Sequence, residues 1–348
     1  MEVAKYQIEQ LPKILVDRWE HFFTAGQPFI SPFLSPCFCR AVEGARGGVH
    51  VLHLKDDDGE EGFLPFQYRQ GRRLFGHAEQ VGGQMCDHFG LVGNIRCITH
   101  FPALLSRAGI SALRFAQGIP SLCPFEFSDE EPSAGIRFSA DSFSVFLERL
   151  MRCNKEFIKG VLRGERRMSV DCGKVVFEWQ TSAGAEMLKR LIYEKRHQFE
   201  RTGFQDVLAA PWKRNVLSTL LQAERQASCR AILSTLHAGG NWVASNLALV
   251  SMNALHFWYP VYNPNYRRYG PGHILFFKII DHACSEGINT FDFGAGVAAY
   301  KMEYQGESYA LFKGWVGANS ANARLERYLQ SMIWRTEAIT ARGRQWFA

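Results

Sequence analysis

The stretch YNPNYRRYGPGHILFFKIIDHACSEGINTFDFGAG covers residues 262–296 and contains a turn, a helix pattern and a strand pattern. An Asn-Pro turn comes first, two arginines follow, and a Gly-Pro-Gly corner at 270–272 stands directly before an apolar helix pattern. The helix pattern ends near Ser285, and NTFDFG is typical of the next strand. The order predicts a strand–helix–strand unit with a glycine-rich corner where the helix begins.

The same alternation of elements continues on both sides of this unit. Residues 174–179 form a β-rich run, and two helix patterns follow it, the second started by Pro211. Three strand patterns separated by turn residues lead to the corner, and a short helix pattern and a last strand follow NTFDFG. The second half of the chain is therefore predicted as β, α, α, β, β, β, α, β, α, β.

The first half repeats much of this order. Two helix patterns, a hairpin, a third strand, a helix ending at Gly109 and another strand give α, α, β, β, β, α, β. We therefore predict the α/β class, with mixed sheets in two tandem halves joined by a long helix. The predicted boundaries are 1–140 for the first half, 141–170 for the connecting helix, 171–318 for the second half and 319–348 for a helical tail.

Composition narrows the class of protein. The chain has 348 residues with a net charge of +6, which is compatible with an anionic ligand but too small to indicate nucleic acid. No apolar run approaches the roughly 20 residues that cross a bilayer, and the N-terminus lacks a signal-peptide pattern. Nine cysteines without framework spacing suggest reduced thiols. We expect a cytoplasmic protein without a transmembrane segment, a metal or a nucleic-acid partner.

Several motifs, taken in order along the chain, resemble the GNAT acyltransferase superfamily. They are SPFLSPCFCRAV, GFLPFQYR, CDHFGLV, EKRHQFERTGFQDVLAAPW, LHFWYPVYNPNYRRYGPGHILFFKII and FDFGAGVAAYKMEY. The chain is most similar to the CelD-like group of cellulose biosynthesis, which is built from two tandem GNAT-like halves as the FemABX transferases are. The resemblance implies a degenerate first half on the acceptor side and a second half that binds acyl-CoA.

This resemblance gives the Gly-Pro-Gly corner a function. GNAT enzymes bind the acyl-CoA pyrophosphate at Gln or Arg, two spacers, Gly, a spacer, and Gly or Ala. A helix N-terminus suits phosphate because its N–H groups are unpaired and its dipole end is positive. Pro271 departs from the pattern because it has no N–H, and a plain Gly-Pro helix start stays the alternative. The implied donor-binding residues are Arg267, Arg268, Tyr269, Gly270, Gly272 and His273.

Acyl transfer to an amine needs a base for the amine and a proton for the leaving thiolate. His256, on the strand before the corner, and His88 are the candidate bases, with Asp87 placed to orient His88. Tyr300 stands where many GNAT enzymes hold the tyrosine that protonates the thiolate. Each residue has a structural alternative, as a sheet-face histidine, a loop cap or a core aromatic. We predict that His88, His256 and Tyr300 line one cleft and that His88 contacts the acceptor.

The acceptor-binding residues are predicted from their surroundings. Those on the helix over 185–201 lie on its polar side, so a solvated face is the alternative. The resemblance also implies that the strand before the corner separates from its neighbour, and that a free backbone N–H near 257–261 polarises the thioester carbonyl. The predicted acceptor-binding residues are Asp87, Lys195, Arg196, Gln198, Asp292 and Lys301.

Three functions fit the sequence. The first is an acyl-CoA-dependent N-acyltransferase, with acetyl-CoA or a longer acyl-CoA as co-substrate and a sugar, amino acid or lipid precursor as amine acceptor. The CelD-like resemblance implies a role in cellulose or exopolysaccharide biosynthesis, near a polysaccharide synthase and at the inner membrane surface. The alternatives are a FemABX-type transferase that uses aminoacyl-tRNA, and a non-catalytic accessory protein of the synthase.

Overall fold

A computed structural model describes residues 1–24, 31–224, 227–296 and 298–318, together with 321 and 324. The strands are β1 (Glu2–Gln7), β2 (Val49–Lys55), β3 (Glu61–Tyr68), β4 (His77–Glu79), β5 (Val92–Gly93), β6 (Ala112–Gly118), β7 (Ser128–Ser139), β8 (Val175–Glu178), β9 (Arg230–Ala238), β10 (Asn241–Ser251), β11 (Ala254–Tyr262), β12 (Thr290–Ala295) and β13 (Glu307–Gly317). The helices are α1 (Lys13–Thr24), α2 (Pro36–Arg46), α3 (Phe101–Arg107), α4 (Phe143–Cys153), α5 (Lys155–Cys172), α6 (Gly184–Thr202), α7 (Pro211–Leu221), α8 (Pro271–Ser285) and α9 (Ala299–Met302). Apart from 321 and 324, the predicted tail at 319–348 lies outside the described residues.

The two halves of the chain follow the same order of elements, and both contribute strands to one mixed sheet. Its strand order is β1-β2-β3-β4-β6-β13-β7-β12-β11-β10-β9-β8, and β5 pairs with β3. In each half, three antiparallel strands precede a parallel pair, which is β4 with β6 in the first half and β11 with β12 in the second. From β8 to β13 the elements follow the predicted order. The fold class and its two-half plan are therefore confirmed.

Each half is completed by the last strand of the other. β13, from the end of the second half, pairs with β6, while β7, from the end of the first half, pairs with β12. β7 and β13 also pair with each other at the middle of the sheet. The sequence prediction missed β7 because SDEEPSAGIRFS is polar and contains a proline, features that are rare in a central strand.

Two further predictions about the first half need correction. The strand β1 was missed, and it pairs with β2 along its whole length. The single connecting helix predicted over 141–170 is two helices, α4 and α5, that meet at Asn154. Asn154 has φ −145° and ψ 57°, which is not helical, and its amide donates to Glu303. The buried stripe continues across both helices, so periodicity alone could not show the break.

The hydrophobic clusters on the two faces of the sheet differ in which halves contribute residues to them. On one face, α1, α2, α6 and α7 pack over a single cluster that runs from Trp19 and Phe38 of the first half to Leu191 and Trp258 of the second. On the other face, α4, α5 and α8 pack over a cluster centred on Phe291. Because the first cluster belongs to both halves, loops of the first half are held against strands of the second.

The parallel strands separate at equivalent places in the two halves. In the second half the pairing of β11 with β12 ends at His256 and Asp292, although β11 continues to Tyr262. A β-bulge on β11 at Trp258, opposite Leu247 and Ala248 of β10, adds to this divergence. The observed separation agrees with the one that the sequence resemblance implies. We call the space between the separated ends of β11 and β12 the second-half opening.

Candidate active site

Asp292 lies at the base of the second-half opening and organises the polar groups around it. Its carboxylate is fully buried and accepts hydrogen bonds from the Tyr309 hydroxyl at 2.9 and 3.0 Å and from the Gly294 amide at 2.7 Å. Burial raises the pKa of Asp292, but the neighbouring His256 and His88 rings outweigh it and hold that pKa well below its usual range. Asp292 is therefore a fixed negative charge.

His256 bridges two carboxylates. Its Nε2 lies 2.9 Å from Asp87 Oδ2, and its Nδ1 lies 3.6 Å from Asp292 Oδ2. Burial lowers the pKa of His256, yet the two carboxylates outweigh burial and raise it to about 9. His256 is therefore an imidazolium at neutral pH. This geometry favours the protonated ring, and the role of His256 as the base stays a prediction. We call this group the Asp87–His256–Asp292 triad.

His88 lies beside the triad but is closed off from solvent. Its Nδ1 is 2.8 Å from the Ser31 hydroxyl, its Nε2 is 2.7 Å from the Tyr309 hydroxyl, and its side chain is 0% exposed. Burial lowers the pKa of His88 to about 4. A neutral ring fits a chain in which Ser31 donates to His88, His88 to Tyr309, and Tyr309 to Asp292. The ring centres of His88 and His256 lie 5.6 Å apart, and the complete burial of His88 does not support its predicted contact with the acceptor.

Asp87 is the member of the triad that reaches the surface. Its side chain is 30% exposed, whereas those of His256 and Asp292 are buried. The sequence predicted that Asp87 orients His88; instead it holds His256, whose strand lies in the other half of the chain. Gly294 makes this contact possible, because a Cβ there would lie 2.4 Å from Asp87 Oδ2. The first half thus supplies an exposed carboxylate to the second-half opening.

Two further predicted residues surround Asp87. The Tyr300 side chain is 37% exposed, and burial together with Asp87 raises the pKa of its hydroxyl to about 12. Lys195, on α6, donates to Pro260 O of β11 and to Gln198 Oε1, both at 3.2 Å. Burial lowers the pKa of Lys195 to about 8, although Asp87 acts against that shift. At neutral pH the opening therefore holds a protonated phenol and a lysine close to its titration range.

Other predicted acceptor-binding residues have structural contacts. Lys301 donates to the carbonyl oxygens of residues 293, 294 and 295 and closes the turn after β12. Arg196 pairs with Asp206 at 2.7 Å, and Gln198 supports Lys195. Of the acceptor-binding set, Asp292 lies at the base of the opening but is fully buried, and Asp87 is partly exposed there.

The predicted donor corner lies at the N-terminus of α8. Gly270 has φ +66°, and a Cβ on Gly272 would meet no atom within 4 Å, so the backbone is open to a ligand. Arg267 is exposed and makes no ion pair with the described residues. Arg268 instead lies 3.4 Å from Asp171, next to Tyr269.

The remaining two predicted donor-binding residues are packed. Tyr269 is buried and donates to Asp171 at 2.8 Å, and His273 Nδ1 lies 3.0 Å from the Tyr304 hydroxyl. The amides of His273 and Ile274 donate to Gly270 O, so the open groups of the corner are the Gly272 amide, the two glycines and the Arg267 guanidinium.

One group of side chains has spacing compatible with a metal ion. The potential ligand atoms of His88, His256 and Asp292 all lie within 4.8 Å of one another. Hydrogen bonds already engage His88 on both ring nitrogens and Asp292 on both oxygens. His256 Nδ1 is buried without a hydrogen-bond partner among the described residues, and the absence of a metal stays a prediction.

Sequence reasoning missed three side chains that complete the site. Tyr309 comes from β13, Ser31 from the segment before α2, and the Phe33 ring lies edge-on to His256 with centroids 4.9 Å apart. Ser31 and Phe33 lie in SPFLSPCFCRAV, one of the motifs that carries the family resemblance. Nothing in the sequence marks Tyr309, since it approaches Asp292 through the strand exchange at the centre of the sheet.

Comparisons with known proteins agree with this geometry. Residues 156–302 match the acetyltransferase (GNAT) domain family, which supports an acyltransferase. This segment contains α8, the donor corner and both His256 and Asp292. The chain has a tandem GNAT fold. None of the described helices combines the length and apolarity that a membrane crossing needs.

Solved structures share the tandem GNAT fold at low sequence identity. FemX aligns at 12% identity over 90% of this chain and 97% of its own, with a TM-score of 0.56. A Bacteroides thetaiotaomicron protein of unknown function aligns at 10% over 91% and 100%, with a TM-score of 0.55. The C-terminal domain of a protein described as a lysylphosphatidylglycerol synthetase from Agrobacterium fabrum aligns at 14% over 90% and 94%, with a TM-score of 0.52. A search of curated proteins found no significant relative.

Proposed function

We propose that the protein transfers an acyl group from acyl-CoA to an amine acceptor. The observation that carries this proposal is the Asp87–His256–Asp292 triad at the place where β11 and β12 separate. In that position an exposed carboxylate stands beside two strands whose free backbone can bind a thioester. The open glycine corner at the N-terminus of α8 supplies the adjoining phosphate site.

Asp87 is the base of the proposed reaction. Its partly exposed carboxylate binds the acceptor ammonium, which gives up one proton to solvent to become the neutral amine, and Asp87 takes the second proton as the nitrogen attacks the thioester carbonyl. His256 holds the Asp87 carboxylate through Nε2, while Asp292 balances the imidazolium charge. His256 and Asp292 are positioning residues, because neither reaches the surface.

Tyr300 is the proton donor of the proposed reaction. The carbon–sulfur bond breaks as the amide forms, and the departing thiolate takes a proton from the Tyr300 hydroxyl. The phenolate then regains a proton from the protonated Asp87 carboxyl through solvent, so both groups return to their starting states. Because the pKa of Tyr300 is raised to about 12, this hydroxyl carries its proton throughout the neutral range. The products are an N-acyl acceptor and free CoA. A role in polysaccharide production, near a synthase at the inner membrane surface, belongs to the same proposal and rests on the CelD-like resemblance.

Release of CoA thiol tests the proposal. Acetyl-CoA and longer acyl-CoAs are incubated with the protein and a panel of amino sugars, amino acids and amine-bearing lipid precursors, and free thiol is followed. We expect acceptor-dependent release that is lost in Asp87→Asn and kept in the surface variant Lys189→Gln. Transfer from aminoacyl-tRNA without any transfer from acyl-CoA would contradict the proposed donor. Absence of transfer from either would favour an accessory protein.

A further inference from the structure

The helices α4 and α5 carry more basic than acidic residues on their exposed sides. Seven basic residues are exposed there, which are Arg149, Arg152, Lys155, Lys159, Arg163, Arg166 and Arg167. The same helices carry four acids, and each acid already has a cationic partner. Two of those partners, Lys278 and Arg268, belong to other elements, so the helices balance only Arg152 and Lys159 by direct ion pairs.

The five remaining basic residues of the two helices make no ion pair with the described residues. Lys159 and, more weakly, Arg163 and Lys155 lower the pKa of Glu156, so this one exposed acid serves three cations. Arg166 and Arg167 have no acid of their own on the exposed side. This surface therefore carries positive charge that the described part of the chain leaves unbalanced.

Four of the seven cations lie on one side of α5 together with two apolar side chains. At 3.6 residues per turn, one arc of about 100° contains Lys155, Lys159, Leu162, Arg163, Arg166 and Val170, which we call the α5 outer face. Leu162 is 47% exposed and Val170 is 80% exposed. The opposite side of the helix is buried at Val161, Gly164 and Met168. The α5 outer face therefore presents both positive charge and apolar surface to its surroundings.

The chemistry of the α5 outer face indicates what can cover it. Residues 319–348 contain five arginines and two glutamates, a net charge of +3, so like charge opposes seating this segment there. The same repulsion acts between two copies of the face. Single-stranded nucleic acid is bound on aromatic side chains, and the face has none. Clusters of four to eight basic residues on a helix bind anionic lipid headgroups, and apolar side chains enter the boundary with the acyl chains.

We propose that the α5 outer face docks on a bilayer surface that contains anionic phospholipid. The opposite side of α5 packs on the donor corner, since a Cβ on Gly164 would clash with Tyr269 O. Docking would therefore hold the corner roughly 10 Å, one helix diameter, from the lipid surface. The inference rests on one part of the proposed function, the location at the inner membrane surface. It is independent of the chemistry of acyl transfer.

Binding to lipid vesicles tests the docking. The vesicles consist of phosphatidylcholine alone or of phosphatidylcholine mixed with phosphatidylglycerol, and we expect the parent protein to bind only the mixed vesicles. The face variant combines Lys155→Gln, Arg163→Gln and Arg166→Gln. It should bind the mixed vesicles at least about tenfold more weakly, because each basic residue at an anionic surface contributes about fivefold.

Two further variants separate the face from net charge. The control variant combines Lys13→Gln, Arg107→Gln and Lys189→Gln, which removes the same charge from exposed positions on three other helices, and it should bind like the parent. The serine variant combines Leu162→Ser and Val170→Ser. It keeps the charge and should bind more weakly, because its side chains no longer favour the acyl boundary. Thermal melting checks that each variant is folded.

Three results would overturn the proposal: no capture of the parent by the mixed vesicles, equal binding by the face and control variants, or equal binding by the serine variant and the parent. Binding of tRNA that the face variant loses, without binding of vesicles, would assign the face to nucleic acid and also overturn it. Vesicle binding needs no acyl-CoA, and release of CoA thiol needs no vesicles. Failure of the docking is therefore distinguishable from failure of the proposed acyl transfer.

Discussion

The two halves have the same strand topology but differ in the segments that follow their parallel strands. In the second half, α8 begins nine residues after β11 ends. In the first half, α3 begins 22 residues after β4 ends, and a long loop occupies the intervening space. The connection from the first strand of the parallel pair to the next helix is therefore short in the second half and long in the first. The halves share a plan while differing in what each can bind.

The long loop of the first half also explains how one site is built from both halves. It carries Asp87 across to His256, whose Nε2 lies 2.9 Å away. Under the proposed function, the second half binds the donor and the first half supplies the catalytic carboxylate. The predictions below test this division, in order of decreasing effect.

The largest effect is expected from Asp87→Asn. The amide keeps the size of the side chain but cannot take a proton, so kcat should fall by about 10³-fold, within the usual range for acid–base groups. Donor affinity should stay unchanged, because Asp87 lies on the acceptor side. Steady-state kinetics and a donor titration measure the two quantities. A kcat near that of the parent would show that the first half supplies no base.

Replacing Gly294 with alanine should open the contact between the halves. Its φ is +67°, and the added Cβ would lie 2.4 Å from Asp87 Oδ2 and 2.8 Å from His256 Cε1. We expect a loss of about 3 kcal/mol in the free energy of unfolding from strain and crowding together. Gly296→Ala is the matched control, since φ there is +89° but its Cβ would meet nothing within 4 Å. Denaturant unfolding of both variants gives the difference; equal losses would mean that the contact with Asp87 is not tight.

The smallest effect is a pH dependence of stability that involves both histidines. The pKa of His256 is raised to about 9 in the folded protein. Its contribution to the free energy of unfolding is therefore complete below pH 6.5 and is lost as the pH rises towards 9. The pKa of His88 is lowered to about 4, so stability falls as pH drops from 6.5 towards 4. Each slope is at most about 1.4 kcal/mol per pH unit.

Variants separate the two limbs of this profile. His256→Gln should flatten the alkaline limb of the unfolding free energy, and His88→Gln should flatten the acidic limb. Urea unfolding between pH 4 and pH 9 measures both. An alkaline limb that persists unchanged in His256→Gln would show that His256 is not held as an imidazolium.

The sequence predicted what depends on local pattern and missed what depends on the strand exchange. The order of elements from β8 to β13, and the grouping of His88 with His256, follow from periodicity and motifs. The central strand β7 did not, because its polar sequence gains its place by pairing with two neighbours. Tyr309 was missed for the same reason. It lies on β13, the strand of the second half that pairs with β6 of the first, and its hydroxyl contacts Asp292. The sequence predicted that His88 contacts the acceptor and that Asp87 orients it, but His88 is buried and Asp87 is the partly exposed residue. The exposure of a side chain cannot be read from one sequence.

The division between the halves is tested most directly by titrating acetyl-CoA into the parent protein and Gly272→Val. A Cβ at Gly272 meets no protein atom, so the substitution should leave the fold intact while valine fills the space that a phosphate needs. The account predicts a melting temperature close to that of the parent and an affinity for acetyl-CoA at least about tenfold lower, the loss of one good phosphate contact. Equal affinities in the two proteins would contradict it.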